Sequence, residues 1–236
     1  MDPNGKRHYD WGGPAHPGPM SQFIDREGNA VIPENVTGIG DMAFAGCHDL
    51  KTVTIHAGVS YILGRAFFDC PNLEAFSVAP DNKTFVSIDG VLFTRSGGLL
   101  RCPPAKSGSY AIPAGVTGVG DHAFLECDRL TAVRFPDSLR RIGVYAFDYC
   151  TGLTEVTFPA GLETTGRRAF GHCTNLTRAV VRGKATEVVN TTFMDCPNVT
   201  LYVPEGSLAQ RMAAEDRFGD YPPCQVTPPR LFGPRT

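Results

Sequence analysis

Six cysteines recur in step along this chain, at 47, 70, 127, 150, 173 and 196, each three residues after a phenylalanine. Thiols at a fixed spacing point to metal binding, cross-linking or nucleophilic attack. Zinc sites draw their cysteines in pairs two to four residues apart, and no such pair occurs here, so no metal is expected. Disulfides between neighbours stay open, because stacked repeats bring Cα atoms within the roughly 4.4–6.8 Å a bridge needs. Six thiols in one column read first as small buried hydrophobes. Cys102 and Cys224 fall outside the column, and Cys224 is expected to be the exposed, reactive thiol.

The six histidines form no His-x-x-x-His pair. Cys47-His48 and His172-Cys173 are sequence neighbours, but adjacent residues of extended chain point to opposite sides, so neither makes a nucleophile–base pair. Residues 38–43 and 118–123 both fit Gly-x-Gly-x-x-Ala. A dinucleotide fingerprint needs a strand before it and a helix after it. Here the first glycine becomes Tyr61, Arg141 or Thr164 in sister copies of one phrase, so the match belongs to the repeat. No acid, base and orienting group come together, and neither an enzyme nor a cofactor is expected.

What positions these residues is a period. IGDMAFAGCHDL at 39–50 returns as VGDHAFLECDRL at 119–130, and phenylalanines fall at 44, 67, 124, 147, 170 and 193. The steps are 23 residues, except for one of 57 that contains a 34-residue insertion. A period between about 20 and 29 residues is the mark of a leucine-rich-type solenoid. Apolar residues follow each cysteine at +3 (Leu50, Leu73, Leu130, Leu153, Leu176) and at +6 and +8 (Val53 and Ile55, Phe76 and Val78, Val133 and Phe135, Val156 and Phe158). That alternation is a short strand with one buried face. Another apolar column precedes the phenylalanines by eight: Val36, Val59, Val116, Leu139, Leu162 and Ala185. One rung cannot bury these residues alone; rungs about 4.8 Å apart bury them against one another.

The phrase Ile-Gly-x-x-Ala-Phe-x-x-Cys followed by Leu-x-x-Val-x-Ile-Pro resembles the BspA-like leucine-rich repeat of bacterial and some protist surface proteins. The resemblance covers about residues 24–206. It implies a curved, β-rich solenoid with one short parallel strand per rung, acting in surface adhesion. The chain departs from the pattern at Leu63 and Val189, where the glycine is missing, and at Thr191-Thr192-Phe193; these mark weaker rungs.

The sequence divides into a leader or linker at 1–20, the solenoid at 21–206 and, inside it, the insertion at 81–113. Asp89-Gly90 between apolar runs signals a hairpin, and Ser96-Gly97-Gly98 a second turn, so a β-meander is expected there, either widening the solenoid or projecting from it. Ser207-Leu208-Ala209-Gln210 is a capping box, which predicts a helix over 207–218 that covers the last rung. The Pro-rich remainder, 219–236, is expected to be extended or disordered. A net charge of -2 gives no bias toward nucleic acid, and no apolar run is long enough for membrane insertion. Arg134, Arg140, Arg141, Arg167, Arg168, Arg178, Arg182 and Lys184 make the C-terminal half locally basic.

If +6 and +8 point inward, +5 and +7 line an outer strand face. The candidate binding residues are Thr52, Thr54, Ser77, Arg134, Glu155, Thr157, Arg178 and Tyr202. The reading is a monomeric, non-enzymatic module that binds a protein, such as an extracellular-matrix or other surface protein. The resemblance implies a cell-surface or secreted setting. The chain as given carries no signal peptide, so a cytoplasmic scaffold or effector is the alternative, and a spacer in a larger surface protein is a third.

Overall fold

A computed structural model describes residues 18–214 and the strand Gln225–Thr227. Two rows of strands run along a solenoid. In the long-strand row, Asn29–Val31, Thr52–Ile55 and Ala75–Val78 pair in parallel. Beyond the insertion, Gly108–Ala111 pairs with Leu130–Arg134; Glu155–Phe158, Arg178–Val181, Thr200–Tyr202 and Gln225–Thr227 then pair in order. Partners such as Thr52 and Ala75, or Glu155 and Arg178, stand one period apart. In the short-strand row, Gly38–Ile39 pairs with Tyr61–Ile62, and Gly118–Val119, Arg141–Ile142, Thr164–Thr165 and Glu187–Val188 pair in series.

The expected columns fill the space between the rows. Leu50, Leu73, Leu130, Leu153 and Leu176 are fully buried, as are Val53, Ile55 and Phe158. Val78 and Phe135 are half-buried. The phenylalanines stack in two runs. Phe44 and Phe67 lie 5.4 Å apart; Phe124, Phe147, Phe170 and Phe193 follow at 4.5, 4.7 and 5.7 Å. Removing one such ring should cost about 3–5 kcal/mol.

The remaining phrase residues build a corner. The amides of Phe44, Phe124, Phe147 and Phe170 donate to the next rung, as from Phe124 N to Ala146 O at 2.6 Å and from Phe147 N to Ala169 O at 2.7 Å. The residue before each cysteine takes left-handed backbone (Gly46, Asp69, Glu126, Tyr149, His172, Asp195; φ 51–68°). That twist costs a non-glycine residue about 1 kcal/mol. It aims the amide at the next rung: Glu126 N reaches Asp148 O at 2.9 Å, and Tyr149 N reaches Gly171 O at 3.0 Å.

The insertion contributes a further rung. Phe85–Ile88 and Val91–Thr94 form an antiparallel hairpin, and Gly98–Arg101 joins it to Gly118–Val119 of the short-strand row. The meander therefore widens the solenoid. Its Asp89-Gly90 turn has positive φ at both residues, the left-handed hairpin type, and Phe76 N donates to Gly90 O at 2.9 Å.

Two expectations change and one sharpens. Cys102 is fully buried, and its carbonyl lies 3.8 Å from Cys127 Sγ, where other rungs place the phenylalanine carbonyl, so it takes the phenylalanine's place in the stack. Ala185 is exposed; Thr186 is buried instead and donates to Leu162 O at 2.7 Å. Within the Pro-rich tail, Gln225–Thr227 pairs with Thr200–Tyr202. The helix runs over Leu208–Ala214, with Gln210 N donating to Ser207 Oγ at 3.1 Å and Ala209 buried in the core. Residues 1–17 and Cys224 lie outside the described residues, while Gly18 and Met20 bond to the first corner at Ala45 and Ala43.

Candidate binding face

The cysteine column is structural. Cys70, Cys150, Cys173 and Cys196 each donate to the carbonyl of the phenylalanine one rung earlier, at 2.9–3.2 Å. The seven described cysteines are free and buried. Burial raises the pKa of Cys70, Cys102, Cys150 and Cys173 well above a free thiol, so they are protonated donors rather than nucleophiles. His172 turns away from Cys173 toward Asp148. His122 is pushed down to about 4, first by burial and then by the Arg101 charge.

The Gly-x-Gly-x-x-Ala phrase opens a corner turn rather than a helix. The Tyr61 ring lies over Gly38, where a Cβ would sit 2.0 Å from it and displace the ring. Among the described residues, no group of three or more His, Cys, Asp or Glu could hold a metal ion. The described cavities include two shallow ones at the N-terminal end, the larger about 370 Å³, lined by Ser21, Ile24, Asp25 and His48 among others.

That leaves the long-strand face. Thr54, Ser77, Arg134 and Glu155 are exposed, and Thr52, Thr157, Arg178 and Tyr202 are half-buried. Their inward neighbours Val53, Phe76, Val133, Val156, Ala179 and Leu201 are buried, so the alternation holds along the row. Adjacent members interact. Thr52 Oγ1 bonds Asn29 Oδ1 at 2.7 Å, and the Arg178 guanidinium lies 4.0 Å over the Tyr202 ring, which holds both in place. The basic residues do not merge into one patch. Arg134 and Arg178 face outward on long strands, and Arg141 lies on a short strand. Arg140 caps Asp137 O, and Arg167 and Arg168 pack around Tyr145 at a corner.

Sequence reasoning missed two features. The first is the hairpin tip, which packs on the long-strand row: Lys106 Nζ bonds Asp89 O at 2.9 Å, and Ile88 is 40% exposed. The second is Arg101, almost completely buried, whose guanidinium donates to Phe67 O at 3.1 Å and His122 O at 2.5 Å. One signal was available: Cys102 precedes Cys127 by 25 residues, close to the period.

The chain matches the BspA type leucine rich repeat region in six copies over residues 27–99 and 105–208. No curated protein matches it. Among solved structures, a leucine-rich repeat protein of Eubacterium ventriosum is 25% identical, with a TM-score of 0.66, over 75% of this chain and 47% of that one. A leucine rich cell surface protein of Faecalibacterium prausnitzii is 22% identical (TM-score 0.55), over 81% of this chain and 64% of that one. The pneumococcal vaccine antigen PcpA is 16% identical (TM-score 0.56), over 86% and 68%. This chain thus spans about half to two thirds of the first two. No helix among the described residues is long and apolar enough to cross a membrane. With its phrase, its period and its stacked corners all in that pattern, the chain belongs to the BspA type leucine-rich repeat family.

Proposed function

We propose that this leucine-rich repeat module is a non-enzymatic binder of another protein, which it recognises through the long-strand face. The observation that carries the reading is the division of labour along each long strand. Inward residues are consumed by the core, while the outward row from Thr52 to Tyr202 remains accessible on a rigid frame. Arg178 and Tyr202, stacked on each other, are the residue types that anchor interfaces. The Faecalibacterium neighbour is a leucine rich cell surface protein, which supports a surface setting, and adhesion is the role that fits it. A second reading, an intracellular scaffold, is favoured by the free cysteines, since disulfides are rare in reducing compartments.

The test is an array of extracellular-matrix and bacterial surface proteins probed with wild type, R134E/Y202A and, as a control on the short-strand row, R141E. Binding should fall at least tenfold in the double variant and persist in R141E. Equal binding by all three would remove the long-strand face from the account.

A further inference from the structure

Away from the long strands, one set of titratable side chains joins three consecutive rungs. His172 Nδ1 lies 2.9 Å from Asp148 Oδ1, and Nε2 lies 3.2 Å from Asp195 Oδ2. The Asp148 side chain is fully buried, that of Asp195 is 45% exposed, and that of His172 is 17% exposed. The Tyr149 ring stacks on the imidazole at 4.2 Å and 5°. Gly171 permits this approach, since a Cβ there would sit 2.4 Å from Asp148 Oδ1. Asp148 Oδ2 is buried and receives no protein hydrogen bond.

A neutral imidazole has one N–H and can donate to only one of the two carboxylates; an imidazolium donates to both. We propose that Asp148, His172 and Asp195 form a proton-operated latch across three rungs, closed by the imidazolium in mild acid and half-released when it deprotonates. The surroundings agree. The hydrogen bond that His172 donates to Asp148 raises the pKa of His172, and burial raises that of Asp148. Of the other groups facing the pair, Arg168 opposes the imidazolium and supports the Asp148 carboxylate, while the buried Cys150 and Cys173 stay neutral thiols.

The sign follows. A raised histidine contributes stability that is fully present below its ordinary 6.5 and is lost as pH rises through the folded value. A raised aspartate adds a penalty that grows as pH climbs above its ordinary 3.8. Both terms favour mild acid over alkaline solution. The latched rungs also carry Glu155, Arg178 and Tyr202, but the latch is measured on the protein alone and does not depend on the binding reading.

The experiment follows hydrogen exchange at the Tyr149 and His172 amides, which donate to Gly171 O and Met194 O, with the intrinsic rate divided out. Between pH 6 and pH 8, protection should fall about tenfold in wild type and in H48Q, and stay flat in H172Q. Should H172Q fail to fold, the NMR titration of His172 decides, in wild type and in the milder D195N. Its midpoint should lie above that of an unperturbed histidine and drop in D195N. Equal pH slopes in wild type and H172Q, or a His172 midpoint at or below the unperturbed value, would overturn the latch.

Discussion

From Phe124 to Phe193 each rung repeats three contacts with its neighbour: ring on ring, Phe amide to carbonyl, and thiol to Phe carbonyl. Between Phe67 and Phe124 the inserted rung keeps one of them. Cys102 N donates to Ala123 O at 2.7 Å, in the register that Phe124 N occupies toward Ala146. Cys102 stands in place of the stacked phenylalanine, and the Phe67 carbonyl is met by Arg101 instead of a thiol. The core divides at this point into two main clusters, one around residues 30–92 and the other around 91–209, with a small third cluster of Ala45, Phe68 and Leu125 drawn from both sides. The contrast shows that what the fold conserves from rung to rung is the donor, and the residue type follows from the space left for it. With no phenylalanine to pack, a long cation reaches both halves, from Phe67 O to His122 O. Its cost is desolvation, which the carbonyls offset in part.

The largest effect should come from the regular region. F147A removes an inner ring of a four-member stack and should destabilise by about 3–5 kcal/mol, read by denaturant unfolding. At the seam, R101M keeps the side-chain length but strands the buried Phe67 carbonyl, while His122 O keeps its bond from Leu125 N, at about 1–3 kcal/mol. It should also separate the unfolding of the two clusters, so that amides on the 30–92 side exchange at a different denaturant concentration from those on the other. A single unchanged transition in R101M would remove the bridging role. Thiol variants sharpen the comparison. C150A loses a 3.1 Å bond to Phe124 O and should cost about 1–2 kcal/mol, whereas C127A, whose nearest acceptor is 3.8 Å away, should cost less. The smallest effect is at the hairpin tip. Gly90 has φ +77°, and a Cβ there would sit 3.0 Å from Ala75 Cβ, so G90A should cost about 1 kcal/mol.

These two regions also differ in how far they could be read from the residues. Phe147, Cys150 and Leu153 recur in type and spacing, so their columns, burial and outward alternates follow from the period. Asp89-Gly90 announced its turn because that backbone has few other occupants. Arg101-Cys102-Pro103-Pro104 shares only its cysteine with Ala-Phe-x-x-Cys, at a spacing that is off the period, and its place in the stack rests on backbone register. The left-handed backbone at Tyr149 is equally hidden, because tyrosine does not favour it and the next rung imposes it. The contact between Arg178 and Tyr202 needed the register of neighbouring strands. Thr192 shows a departure compensated in space: its hydroxyl meets that of Thr165 at 2.7 Å, where other rungs place apolar residues.

The claim under everything else is that the repeated phrase is interior and its thiols are spent on neighbouring rungs. Residue-resolved thiol labelling of the folded chain, read by mass spectrometry, tests it directly. Cys70, Cys150, Cys173 and Cys196 should stay unmodified until denaturant unfolds the protein, then label together. Modification of these four at free-thiol rates while the chain remains folded would contradict the stacked interior.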